Sequence, residues 1–203
     1  MTTIPLSLDD YTELPSDKIA TVVTYLEMRE KPQSRTLIER DDLLLRKIER
    51  VDIQDYSRLF RKIGEPWLWF GRLVMSDEDL TKVLNEESRD LYFVMENGVA
   101  IGLLELDFSI GSEVELAYFG FIPEQIGGGA GRWLMNHAID LAFARPGVDR
   151  LWVHTCTGDS AQALPFYIRS GFVPYKRAIE VADDPRLKGI LVVSSAPHIP
   201  VLA

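Results

Sequence analysis

Gly127, Gly128, Gly129 and Gly131 stand almost back to back between a strand-like run ending at Pro123 and an apolar, helix-like run that follows at once. Such a turn bares backbone N–H groups at a helix N-terminus, where the macrodipole adds partial positive charge. Its chemistry is that of a phosphate cradle. The spacing excludes two common cradles. A dinucleotide fingerprint needs glycines at i, i+2 and i+5, but Gly127 and Gly129 lead to Arg132, and Gly129 and Gly131 lead to Leu134. A P-loop needs Lys and then Ser or Thr after its last glycine, and here Arg132 and Trp133 follow. A plain Gly-rich connector fits the same letters, so the surroundings of the turn have to decide.

His154 and Cys156 are a second pair with chemical potential. They share one face of the run Trp152-Val153-His154-Thr155-Cys156-Thr157. Neighbours at i and i+2 on a strand face are usually too far apart for the hydrogen bond that a Cys–His nucleophile requires, so that reading is rejected. Cys156 is the only cysteine, which excludes an intrachain disulfide and a Cys-rich zinc site, and no metal is expected. His154 stays open between an acid–base group, a contact to a bound molecule and a satisfied core histidine.

With 203 residues the chain has the length of one domain, or of one with extensions, and can bury a sizeable core. Its 46% hydrophobic and 26% charged residues suit a soluble globular protein. The net charge of −9 opposes nucleic-acid binding through phosphate contacts and favours neutral or cationic small substrates. No apolar run reaches membrane-spanning length, and the N-terminal MTTIPLSLDD lacks the parts of a signal peptide. A cytoplasmic protein without a membrane partner is expected.

Several elements must position the glycine turn. Residues 1–18 are a polar arm, and β-branched alternation makes 19–28 a first strand. Residues 43–51 are a possible second extended piece. Asp52 caps a helix with Ile53, Tyr56, Leu59, Phe60 and Ile63 on one face, stopped at Gly64-Glu65-Pro66. Ser76, with Asp79 in the capping-box position, opens a second helix. Asn97-Gly98 joins strands 91–96 and 99–108 as a hairpin, and a third strand covers 113–122. Alternation places Glu113, Glu115, Ala117, Phe119 and Phe121 on one face of it, and Gly120 signals a bulge or a close approach. A helix over 132–145, a strand over 150–157, a helix ending at Gly171 and a strand over 172–181 complete the core. Pro165 predicts a kink or a short first turn in the last helix. Residues 182–203 form a tail wrapped on the surface, leaving one α+β domain over 19–181.

That order, with four local motifs, resembles the GNAT superfamily of acyl-CoA-dependent N-acetyltransferases over roughly 19–181. The motifs are Ile126-Gly127-Gly128-Gly129-Ala130-Gly131, matching the family's pyrophosphate loop except for Ile126; Glu115, eight residues before Pro123; Tyr167, ahead of Gly171-Phe172; and the run 152–157. With PEQIGGGAG and GEPWLWFGR, the last is similar to a mostly uncharacterised bacterial subgroup. The resemblance implies a mixed, mainly antiparallel central sheet flanked by helices, with splayed central strands, and acetyl-CoA as cosubstrate.

It also implies roles. Glu115 is the general base, with Glu113 and Glu105 as competitors, and Tyr167 protonates the thiolate of CoA. Backbone amides from Gly127 to Arg132 hold the pyrophosphate, and the pantetheine arm adds as a strand to the splayed edge carrying Phe119 and Phe121. Ser160 stands where many members have Asn. Trp67, Trp69 and Phe70 wall the acceptor pocket, with His154 as a further acceptor contact. The implied reaction is direct transfer to the amine of a small-molecule acceptor, by a monomer or homodimer. A binding module without turnover and a protein or peptide N-acetyltransferase are the alternatives.

Overall fold

A computed structural model of the chain describes residues 3–32 and 39–202. The elements follow the order β1 (Lys18–Met28), β2 (Leu43–Lys47), α1 (Ile53–Gly64), α2 (Asp77–Leu84), β3 (Arg89–Glu96), β4 (Val99–Ile110), β5 (Glu113–Phe121), α3 (Ala130–Ala144), β6 (Arg150–Cys156), α4 (Ala163–Arg169) and β7 (Val173–Asp183).

Local chemistry explains most of these boundaries. The Asp52 carboxylate accepts from the N–H groups of Gln54 and Asp55, at 2.9 and 3.0 Å, satisfying two donors that open α1. Ser76 does the same for Asp79 at 3.1 Å and starts α2. Asn97 and Gly98 both take positive φ (48° and 80°), as a tight hairpin turn requires. Helix α4 is shorter than the sequence pattern suggests. Pro165 is its third residue, inside the first turn where its missing N–H has no intrahelical acceptor to lose.

Among the described residues seven strands make one sheet in the order β2-β3-β4-β5-β6-β1-β7. Every described pairing is antiparallel except β5 with β6. The N-terminal strand thus lies between β6 and β7. Helix α1 packs on β4 and β5, and α3 on β4, β5 and β6. The main core joins α1, α2 and α3 to the sheet through residues such as Tyr56, Phe60, Leu104, Leu134 and Ile139.

Among the described residues, burial of charge is confined to neutralised groups. Glu105 is fully buried, yet it accepts from Arg72, from Arg89 at 2.6 Å and from the Tyr56 hydroxyl at 3.1 Å. Three donors around one carboxylate offset a desolvation that an isolated charge would not survive. Among the described residues no helix is long and apolar enough to cross a membrane.

Candidate active site

Strands β5 and β6 pair only through Glu113, Val114 and Glu115, opposite Arg150, Leu151 and Trp152. Beyond that point they part, as expected from the sequence. The gap opens into a cavity of about 1060 Å³ that runs from the glycine turn to the aromatic loop after α1.

A β-bulge reshapes β5 at the gap. Glu105 faces Tyr118 and Leu106 faces Leu116, leaving Ala117 as the extra residue without a cross-strand partner. The regular alternation expected over 113–122 is therefore wrong past Leu116. Tyr118 shares the side of Glu115 and packs on Phe60, with ring centroids 4.8 Å apart. Phe119 turns to the opposite side, stacking on Phe166 at 5.8 Å. Simple period-two counting carries no signal for an inserted residue. Gly120 also faces α1, and a Cβ there would meet Ile63 Cγ2 at 2.8 Å, so the close-approach reading of this glycine holds.

At the glycine-turn end, Gly127 and Gly129 adopt φ of 107° and 85°, and α3 starts at Ala130 with no side-chain cap. Arg132 and Trp133 donate to the Gly129 carbonyl. Among the described residues the N–H groups of Gly127 through Gly131 have no such acceptor, so they are open to a bound anion. Gly127, Gly129, Gly131, Ile126 and the exposed Arg132 line the cavity. Gly128 and Ala130 do not: the Ala130 side chain is in the core, and the Gly128 carbonyl accepts from Arg40 at 2.9 Å. Arg40 is itself held by Asp42 through two contacts of 2.8 and 2.6 Å. No motif flagged Arg40, because it acts through a distant backbone carbonyl.

Phe119, Phe121 and Ser160 also line the cavity. Ser160 sits in the turn before α4, where its carbonyl accepts from Ala163 N–H at 2.8 Å. Tyr167 of α4 reaches the same space, with its ring 6.4 Å from that of Phe119. Burial pushes its phenol well above the ordinary tyrosine value, and the charge on Asp159 adds to the shift. It stays protonated at neutral pH.

Glu115 stands on the other side of β5, and its Oε1 lies 3.3 Å from His154 Nδ1. The Glu115 side chain is 23% exposed and that of His154 44%, so His154 is not a core histidine. Hydrogen bonding to Glu115 raises the imidazole above its usual value against the effect of burial, and Asp159 and Glu180 add to the rise. The competing carboxylates are occupied. Glu113 is bound by Arg150 at 2.7 Å, and Glu105 by its three donors. Cys156 faces the cavity, but burial raises its thiol, which fits its exclusion as a nucleophile.

Trp67, Trp69 and Phe70 all line the aromatic end. Trp69 Nε1 donates to Asp159 at 3.1 Å, while Asp159 also accepts from the Thr155 hydroxyl and the Cys156 N–H. Residues after β7 brace this loop. Leu191 and Ala196 bury against Leu68, the His198 ring lies 5.9 Å from that of Trp67, and His198 Nε2 donates to the Gly158 carbonyl at 3.0 Å. Arg186, paired with the buried Asp184, donates to the carbonyls of Ser195, Ala196 and Ile199 and fixes the path. Ile19 and Thr21 of β1 and Glu180 of β7 complete the wall. Sequence reasoning missed them, since nothing local says that β1 crosses to lie beside β7. Among the described residues no group of His, Cys, Asp or Glu is placed to hold a metal ion.

Residues 54–172 match the Acetyltransferase (GNAT) family model. Spermidine N(1)-acetyltransferase from Vibrio cholerae is 29% identical over 145 residues, which cover 68% of this chain and 83% of that protein. The fold is similar to a GCN5-related N-acetyltransferase from Sphaerobacter thermophilus, with a TM-score of 0.63 and 13% identity over 81% of this chain. This chain spans about half, 52%, of that longer protein. A dodecameric spermidine N-acetyltransferase from Vibrio cholerae gives a TM-score of 0.53 at 20% identity, covering 73% of this chain and 97% of that one. With a splayed sheet, a glycine turn opening α3 and a family match across most of the folded core, the chain belongs to the GNAT acetyltransferase family.

Proposed function

We propose that this protein transfers an acetyl group from acetyl-CoA directly to the amine of a small-molecule acceptor, with both molecules held in the one cavity. The observation that carries this reading is the cavity through the β5–β6 gap, which joins open backbone amides at one end to an aromatic, acid-lined chamber at the other. The cosubstrate suits the residues present: positive φ at Gly127 and Gly129 and an uncapped α3 make an anion cradle built of main chain. Acetyl-CoA, when bound, supplies the activated acyl group as a thioester.

The chain's own groups account for the rest. The amides from Gly127 to Gly131 hold the pyrophosphate, with the Arg132 side chain adding charge, while Ile126 offers no polar side chain. The unpaired edge of β5 from Ala117 to Phe121 accepts the pantetheine arm as an added strand, flanked by Phe119, Phe121 and Ser160. A backbone N–H at the bulge polarises the reacting carbonyl. The Glu115–His154 pair handles the proton of the amine, and Tyr167 gives one to the departing sulfur. Orientation of two bound reactants supplies much of the rate.

Trp67, Trp69 and Phe70 wall the acceptor, and Glu180 lines its chamber without an ion-pair partner among the described residues. An aromatic and acidic chamber suits a cationic amine. The similarity to a spermidine acetyltransferase makes polyamines the first compounds to try. The test is release of CoA thiol from acetyl-CoA across a panel of polyamines, aryl-alkylamines and amino acids. Acceptor-dependent release is expected. If CoA raises the melting temperature but no amine produces thiol, the chain is instead a binding module without turnover.

A further inference from the structure

Two groups compete for the amine's proton, and the geometry separates their work. His154 lines the cavity at the mouth of the β5–β6 gap, two residues beyond the last paired position, Trp152. Glu115 does not line the cavity; it stands behind the imidazole, 3.3 Å from Nδ1. With Nδ1 turned to the carboxylate, Nε2 is left without a partner among the described residues. The ring is flanked by Tyr25 and Trp152, with centroids 5.6 and 6.2 Å away.

We infer that His154 Nε2 is the atom that takes the proton from the attacking amine, and that Glu115 is a positioning residue that sets the tautomer and orientation of the ring. This rests on the reaction proposed above. As the N–C bond forms and the C–S bond breaks, one amine proton passes to Nε2 and the sulfur receives a proton from Tyr167. The imidazolium formed is stabilised by Glu115, as a carboxylate stabilises histidine in other acid–base pairs.

Every other titratable group facing the ring is less suited. Asp159, from the turn after β6, is occupied by Trp69, Thr155 and the Cys156 N–H. Glu180 lies on β7, beyond β1, at about 10 Å from β6 by the usual strand spacing. Tyr25 on β1 sits beneath the Lys176 ammonium, 4.1 Å from its ring. Cys156 on β6 is a thiol that burial holds protonated. The hydrogen bond to Glu115 raises the His154 value, which favours the protonated ring that proton uptake would leave.

The experiment compares wild type, Glu115→Gln, His154→Gln and His154→Ala with spermidine as probe, by pH-dependent thiol release and by NMR titration of His154 in the free protein. For His154→Gln, kcat/KM should fall by about 10²–10⁴ and lose its acid limb. Imidazole in the buffer should partly restore His154→Ala, a rescue that a purely structural defect would not show. Glu115→Gln should keep a measurable rate and move both the acid limb and the His154 titration to lower pH, since removing the carboxylate destabilises the imidazolium. An active wild type with His154→Gln unchanged, or with Glu115→Gln dead while His154 titrates as before, overturns this proposal alone. A wild type inactive on spermidine and on the whole amine panel overturns it together with the proposed reaction.

Discussion

The glycine-turn end of the cavity is walled largely by main chain from one stretch, Gln125 to Arg132, whereas the aromatic end is walled by side chains from β1, the loop after α1, β6, β7 and the residues that follow. The first end rests mainly on local conformation, positive φ at two glycines and a helix that starts without a cap, with Arg40 bracing it from a distance. The second exists only when distant segments dock. A site made of backbone tolerates Ile126 where the family pattern has a polar residue. A site made of side chains depends on each brace that holds it.

Four substitutions test that contrast, and the largest effect is expected where the ends meet. Tyr167→Phe removes only the hydroxyl, so kcat should fall by about 10²–10⁴ with the Kd for CoA unchanged, by steady-state kinetics and calorimetry. An unchanged kcat removes Tyr167 from the chemistry.

Next is Asp184→Asn, which leaves the buried Arg186 guanidinium unpaired. Urea unfolding should register a loss of about 3–5 kcal/mol, with the acceptor KM raised and CoA affinity kept. Hydrogen bonds from Arg186 hold the Asp184 carboxyl below its usual value. A folded value below the unfolded one, about 4, means the pair's stabilisation is present above that pH and fades as pH falls through the folded value. The variant should therefore lose stability relative to wild type at neutral pH and converge with it in acid. Loss of CoA affinity in step with the acceptor would show that the two ends are not separable.

Gly129→Val forces a β-branched residue to φ near 85°. A cost of about 1–2 kcal/mol is expected, seen as roughly tenfold weaker CoA binding with the acceptor end untouched. The smallest effect belongs to Arg40→Met, which removes one hydrogen bond to Gly128. About 1 kcal/mol, or roughly fivefold in CoA Kd, is the expected change in calorimetry. A change in acceptor KM instead would place Arg40 at the wrong end.

Much of the fold was legible because its signals are local. Asp52 and Ser76 cap the helices they were expected to cap, and Asn97-Gly98 turns the expected hairpin. The gap between β5 and β6 also lies where the family resemblance put it. The faces of β5 were misread because an extra residue at Ala117 inverts the alternation beyond it. As a result Tyr118, pushed up to about 12 by burial, shares the side of Glu115, and Phe119 shares that of Tyr167. Tyr167 and Glu115 thus lie on opposite sides of β5.

By itself the sequence determined the elements, the caps of α1 and α2, the glycine turn and the family. Each follows from contacts within a few residues, where chain connectivity enforces proximity. Only the tertiary structure decided that β1 inserts between β6 and β7, that residues after β7 brace Trp67 to Phe70, and that His154, not Glu115, reaches the cavity. Those outcomes depend on long-range packing and on one unpaired residue in a strand, and neither leaves a periodic trace in the chain.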